Sequence, residues 1–158
     1  MDDTLALVTK LRQDGERLDA YMQSLSEDSR KREVYTEGAL WTVRSVLAHL
    51  MSAERAFVQL FREIQQGGDG VYEGFSIDRF NAREQSRNKE LGWDETLSSF
   101  RETRARMLDL VTTFTATDLE KKGRHPFLGV TSLREMVKMI YIHDQTHMRD
   151  IRKAVGSG

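Results

Sequence analysis

Ser132-Leu133-Arg134-Glu135-Met136-Val137-Lys138-Met139-Ile140-Tyr141-Ile142-His143-Asp144-Gln145-Thr146-His147-Met148-Arg149-Asp150-Ile151-Arg152-Lys153-Ala154 runs without a glycine or proline. Its Leu133, Met136, Val137, Ile140, Ile151 and Ala154 recur at the spacing of one helical face. A start after Thr131 or Ser132 is expected, the latter with Glu135 three residues on in capping-box spacing. At about 100° per residue, His143 and His147 project from the same apolar stripe and not from the wet side.

Moving outward, the rest of the chain reads the same way. Thr4 to Leu25 carries Leu5, Val8, Leu11, Leu18, Met22 and Leu25 on a helical stripe after an acidic start. Ser26 to Tyr35 reads as a polar connector. A second helix begins at Trp41-Thr42, with Thr42 as N-cap and Trp41 as a hydrophobic staple, and stops at Gly67-Gly68. Ser76 caps a shorter helix through about Asn88. Another helix runs from near Asp94, just after Trp93, to Phe114, and a one-turn helix is expected at Thr117-Asp118-Leu119-Glu120. The class is all-α. Residues 1–155 read as a single bundle domain and 156–158 as a flexible tail.

Composition supports this and excludes a good deal. One proline in 158 residues suits long helices, and the length is that of one ordinary domain. No cysteine is present, so disulfides, iron-sulfur clusters and a protein thiol nucleophile are excluded, and any metal must sit on His, Asp or Glu. The acidic opening Met1-Asp2-Asp3 is not that of a signal peptide. Apolar runs fall far short of the ~20 residues needed to span a bilayer, so a cytoplasmic chain without a membrane partner is expected. With 24 basic and 25 acidic side chains interspersed, including the run Arg101, Arg104, Arg106, no nucleic-acid partner is expected either.

The chemistry concentrates on three histidines. His143 and His147, four apart on a helix, can converge on one ion. Buried imidazoles need partners, since an unpaired buried polar group costs about 1–3 kcal/mol, and a shared metal would satisfy both. His49 repeats the anomaly on the second helix, beside the small Ala53 and Ala56, and is the natural third ligand. Three imidazoles leave coordination positions open, as catalytic sites do and structural zinc sites do not.

These residues also carry a resemblance. Trp41-Thr42-Val43-Arg44-Ser45-Val46-Leu47-Ala48-His49-Leu50 resembles the start of the metal helix in the DinB-like family, the YfiT-like metal-dependent hydrolases. His125-Pro126-Phe127-Leu128-Gly129-Val130-Thr131-Ser132-Leu133-Arg134 with His143-Asp144-Gln145-Thr146-His147 is similar to that family's final loop and helix. The resemblance implies an up-down four-helix bundle with an additional short helix, with His49, His143 and His147 as ligands for a divalent metal, usually zinc or nickel. It implies hydrolysis, or transfer of an external low-molecular-weight thiol in stress or detoxification, on a small-molecule substrate. Members without turnover are also implied, as metal-containing stress or ligand-binding proteins, and a homodimer is admitted. Either activity could use the ion to activate water or hold a thiolate.

Four further residues bear on the site. Asp144, on the core side beside His143, could orient a ligand imidazole or act as a base, or pair with an arginine. Arg104 sits mid-stripe among Phe100, Met107, Leu108 and Val111, and either binds an anionic substrate group or pairs with a buried carboxylate. Glu54 points about 140° from His49 and is not a ligand. His125 is either a residue at the site's mouth or a loop contact.

Overall fold

The computed structural model describes residues 3–156. In chain order the elements are α1 (Asp3–Ser24), α2 (Glu27–Arg30), β1 (Glu33–Tyr35), β2 (Trp41–Thr42), α3 (Val43–Gln65), α4 (Ile77–Asn88), α5 (Trp93–Thr112), α6 (Ala116–Glu120), β3 (Lys122–His125), β4 (Gly129–Ser132) and α7 (Leu133–Val155). The four long helices α1, α3, α5 and α7 make the expected all-α bundle, with α1 and α3 each packing against both α5 and α7. Of the expected tail, Ser157 and Gly158 lie outside the described residues.

The core fills as two layers, and their membership gives each helix a direction. One layer joins Leu7 and Leu11 from the start of α1 and Leu133 and Met136 from the start of α7 to Ile64 and Val111 near the ends of α3 and α5. The other joins the opposite ends, with Leu18, Met22 and Ile151 against Val46 and Leu97. So α1 and α7 run one way and α3 and α5 the other. Because α3 and α5 are parallel, the link between them must travel the length of the bundle, and residues 66–92 with α4 do so. Gly70 fixes part of that link: its φ is +94°, and a Cβ there would run into the Arg124 backbone. Val71 N donates to Arg124 O at 2.9 Å, tying the crossover to β3.

Caps mark the helix starts. Thr42 Oγ1 accepts from Ser45 N, and Ser45 Oγ accepts from Thr42 N, each at 3.2 Å, which is the start expected for α3. Ser76 and Ser132 cap α4 and α7 as expected. Two starts differ. Gly92 is the N-cap of α5, its N–H donating to Glu95 at 3.3 Å, so Trp93 lies inside the helix. For α6 the cap is Thr115, with Asp118 at N3, and not Thr117. The earlier start makes Phe114 and Leu119 the two halves of a hydrophobic staple, and both are buried in the core. In α1, Leu7 faces the core and Leu5 faces solvent, 53% exposed, reversing the expected stripe at that turn.

Two short antiparallel hairpins have no counterpart in the sequence reading. β1 pairs with β2 and β3 with β4, so Tyr35 and His125 lie on strands and not in loops. Strands of two to four residues are too short to show alternation. Each hairpin runs directly into a bundle helix, β2 into α3 and β4 into α7, whose starts lie at opposite ends of the bundle.

Candidate metal centre

His49 lies two turns into α3, and His143 and His147 lie on the antiparallel α7, so the three rings meet between two rigid helices. His49 Nε2 is 3.3 Å from His143 Nε2, and His147 Nε2 is 3.0 Å from the same atom. One ligand nitrogen from each ring lies within 4.8 Å of the others. Nitrogens at about 2.0–2.1 Å from a tetrahedral zinc would stand about 3.3 Å apart. One proton can bridge only one pair of such nitrogens, whereas a divalent cation satisfies all three, so the donor set fits such an ion. Burial, then the neighbouring rings, push His49 down to about 2 and His143 down to about 3; burial lowers His147 despite Asp150. At neutral pH all three are therefore uncharged, the form that binds a cation.

His147 is held by a chain of hydrogen bonds. Tyr35 Oη donates to Asp150 Oδ2 at 2.5 Å and lies 2.8 Å from His147 Nδ1. The single phenolic proton goes to the carboxylate, so His147 Nδ1–H donates to Tyr35 Oη, leaving the lone pair on Nε2 where the rings converge. Burial, then Asp150, raises the Tyr35 pKa and keeps the phenol protonated. Asp150 follows His147 by three residues on α7, a spacing visible in the sequence, but Tyr35 comes from a strand 112 residues away. Trp41, expected as a staple, packs its ring on His49 with centroids 4.8 Å apart and so belongs to the site.

Asp144 and Arg104 are joined to each other and not to the histidines. Arg104 Nη2 donates to Asp144 Oδ2 at 2.6 Å and to Glu54 Oε1 at 2.8 Å, and Nε donates to Glu54 Oε2 at 2.7 Å. Nη1 donates to Leu11 O at 2.7 Å and to Asp14 Oδ2 at 3.3 Å. All five N–H donors are engaged, and Arg104 is 4% exposed, so nothing is left for a substrate anion. This is the carboxylate-paired arginine, completed by the Glu54 that faces away from His49. Burial would lower the Arg104 pKa, but Glu54, Asp144 and Asp14 outweigh it and raise it. Burial above all pushes the Asp144 carboxyl up against the pull of Arg104, helped by its hydrogen bond to Asp14. Asp14 Oδ1 is buried without a donor.

His125 is 2% exposed at the end of β3, stacked on Phe57 with centroids 5.0 Å apart. Its Nδ1 accepts from Phe127 N at 3.3 Å and Leu128 N at 3.2 Å, which closes the β3–β4 turn and sets Phe127 6.1 Å from His143. It is not among the residues grouped around the possible ion. The three histidines form one end of a cavity of about 320 Å³, otherwise walled almost wholly by apolar side chains from α3, the crossover and the β3–β4 turn.

An inward trihistidine cluster at the end of an apolar cavity in a four-helix bundle defines a protein equipped to hold a divalent ion. The chain belongs to the DinB superfamily, whose sequence profile matches residues 10–151. No curated protein sequence matches it. YfiT from Bacillus subtilis, described as a probable metal-dependent hydrolase with an unusual four-helix bundle topology, has a similar fold. It is 16% identical, with a TM-score of 0.78 over 96% of this chain and 85% of that one. A mycothiol-dependent maleylpyruvate isomerase is 15% identical, with a TM-score of 0.77 over 94% of this chain and 60% of its own length. The colibactin self-resistance protein ClbS is 13% identical, with a TM-score of 0.73 over 95% of both chains, and its structure holds a dsDNA.

That last neighbour corrects the expectation that nucleic acid plays no part. A protein of this fold has been crystallised with a DNA duplex, so whole-chain charge is no ground for excluding such a partner. A net charge of -1 averages over the surface and is silent about any one face. Among the described residues, no helix is long and apolar enough to cross a membrane.

Proposed function

We propose that the chain is a cytoplasmic metal-dependent enzyme that acts on a small molecule through a zinc or nickel ion held by His49, His143 and His147. The observation that carries the reading is the convergence of three uncharged imidazoles at the end of a cavity: three nitrogens suffice to hold the ion, and the open side faces space for a reactant. When bound, the ion supplies Lewis acidity to the reacting group.

The chain's own residues do the positioning. Asp150 and Tyr35 hold His147 in the Nδ1–H form. Trp41 and Phe127 lie against His49 and His143 and limit water around them. Asp144 acts through placement: bound to Arg104, it fixes the rotation of α7 and thereby the direction of His143.

Elemental analysis of protein purified without a His tag should find up to one zinc or nickel per chain, lost in His147→Ala; metal content unchanged by that substitution would sink the site. Ester and amide panels with water alone should reveal a hydrolase. The same electrophiles with an added low-molecular-weight thiol should reveal a thiol transferase. His49→Ala should abolish either turnover while the fold survives. A metal-loaded protein inert in both panels would instead be a non-catalytic metal-containing protein.

A further inference from the structure

We propose that the cavity beside the histidines takes an uncharged, flat aromatic molecule that lies beneath α4 and presents its one polar group to the triad. The proposal deepens the enzyme reading and rests on it for the role of the triad. Three observations carry it. First, the described residues lining the cavity include no Lys, Arg, Asp or Glu; apart from the histidines, the polar side-chain groups in the wall are the neutral amide of Asn81 and the indole N–H of Trp41. A second charged group on a ligand would have to lose water there with no partner, which selects against dianionic molecules and against polar sugars.

Second, the wall is rich in aromatic rings, with Phe57 and Phe127 paired at 6.5 Å between centroids and Phe75 and Phe80 at 6.0 Å, while the small Ala53 and Ala56 also line it. Offset and edge-on ring packing favours a flat aromatic guest among such rings. The volume, about 320 Å³, is at the small end of ordinary ligand cavities, which suits one or two fused rings.

Third, α4 is unfinished as it stands. It contains no buried residue and packs on α3, yet Ile77 and Phe80 turn their apolar side chains into the cavity, with Phe75 just before them. An aromatic guest would cover that underside. Ile77 and Phe80 are half-buried as they stand, so their cavity-facing surface is free for a guest to cover.

The test uses N-phenyl-1-naphthylamine, an uncharged fluorescent probe, with zinc-loaded and metal-free protein. The probe should bind both forms with enhanced emission, and 1-naphthol should displace it at least tenfold more effectively than naphthalene-1,4-dicarboxylate. Ala56→Trp, at an exposed helix position on the cavity's rim, should weaken the probe at least tenfold. Should that variant not fold, nuclear Overhauser contacts from the probe to the Phe80 and Phe127 rings of the wild-type protein decide the point. A dicarboxylate within tenfold of 1-naphthol, undiminished binding to folded Ala56→Trp, or probe contacts elsewhere would each overturn the proposal. Failure to take up zinc would sink the metal reading alone, since the metal-free protein still reports on the cavity.

Discussion

Replacing Arg104 with leucine removes one cation and five donated hydrogen bonds and leaves three carboxylates behind. Arg104, Asp14, Glu54 and Asp144 have side chains at most 5% exposed, so water cannot take over the vacated positions. With every carboxylate ionised the cluster carries one positive and three negative charges, a net of -2, and burial pushes the Asp144 carboxyl up against that excess. Without the arginine the remaining acids must take up protons or repel one another. Breaking a buried pair from one side costs about 3–5 kcal/mol, a large part of the roughly 5–15 kcal/mol that holds a domain together. For a chain of this size each kcal/mol moves Tm by about 2–4 °C, so the expected fall is about 6–20 °C. Circular dichroism melts of wild type and Arg104→Leu read this directly. Arg104→Leu combined with Glu54→Gln and Asp144→Asn should recover part of the loss, because no unpaired charge then remains between Arg104's two closest acids. A melting point within about 2 °C of wild type would refute the network as the cross-brace of the bundle. Loss of metal or substrate with melting unchanged would return Arg104 to the site.

Other perturbations test other joints. Tyr35→Phe breaks the link from Asp150 to His147 and should weaken zinc about 10–100-fold in a chelator competition while the melt stays near wild type; unchanged affinity would show that the tautomer needs no such support. Gly15→Ala gains about 1 kcal/mol of helix propensity, but its Cβ would sit 3.0 Å from Arg104 Nη1 and 3.1 Å from Cγ, atoms pinned by the carboxylates. A net loss of about 1–3 kcal/mol in urea unfolding is therefore expected, and a more stable variant would show that Arg104 can yield. His125 is held neutral by burial, with its pKa lowered to about 4 from an ordinary 6.5. Between those values the unfolded chain takes up a proton that the folded chain refuses. The contribution is thus intact above pH 6.5 and falls as pH drops toward 4, with a slope of at most about 1.4 kcal/mol per pH unit. His125→Gln should unfold with a shallower pH dependence in that window, and identical slopes would contradict the assignment.

The bundle was legible because long helices advertise themselves. Thr42 and Ser132 are caps that local spacing reveals, and the direction of His49, His143 and His147 follows from counting along two helices. Where two caps compete nearby, as at Thr115 and Thr117, the choice rests on whether Phe114 and Leu119 can meet in the core, which is a tertiary matter. The parallel course of α3 and α5 is invisible to periodicity, which does not sense direction. Arg104 was legible as an anomaly, and its partner Glu54 as a carboxylate turned from the histidines, but joining them needs α3 beside α5. Tyr35 had no signal at all: a single residue in a polar connector acquires its role only when β1 folds against α7. The aromatic roof from Phe75 to Phe80 is hidden for the same reason, since a short helix with no buried face looks like a surface helix until its underside is seen to line a cavity.

The central claim is that three histidine Nε2 atoms share one divalent ion. X-ray absorption at the zinc edge of the loaded protein measures that shell directly. Three imidazole nitrogens at about 2.0–2.1 Å, falling to two in His147→Ala, is the result expected. A shell dominated by carboxylate oxygens, or one unchanged when His147 is removed, would contradict it.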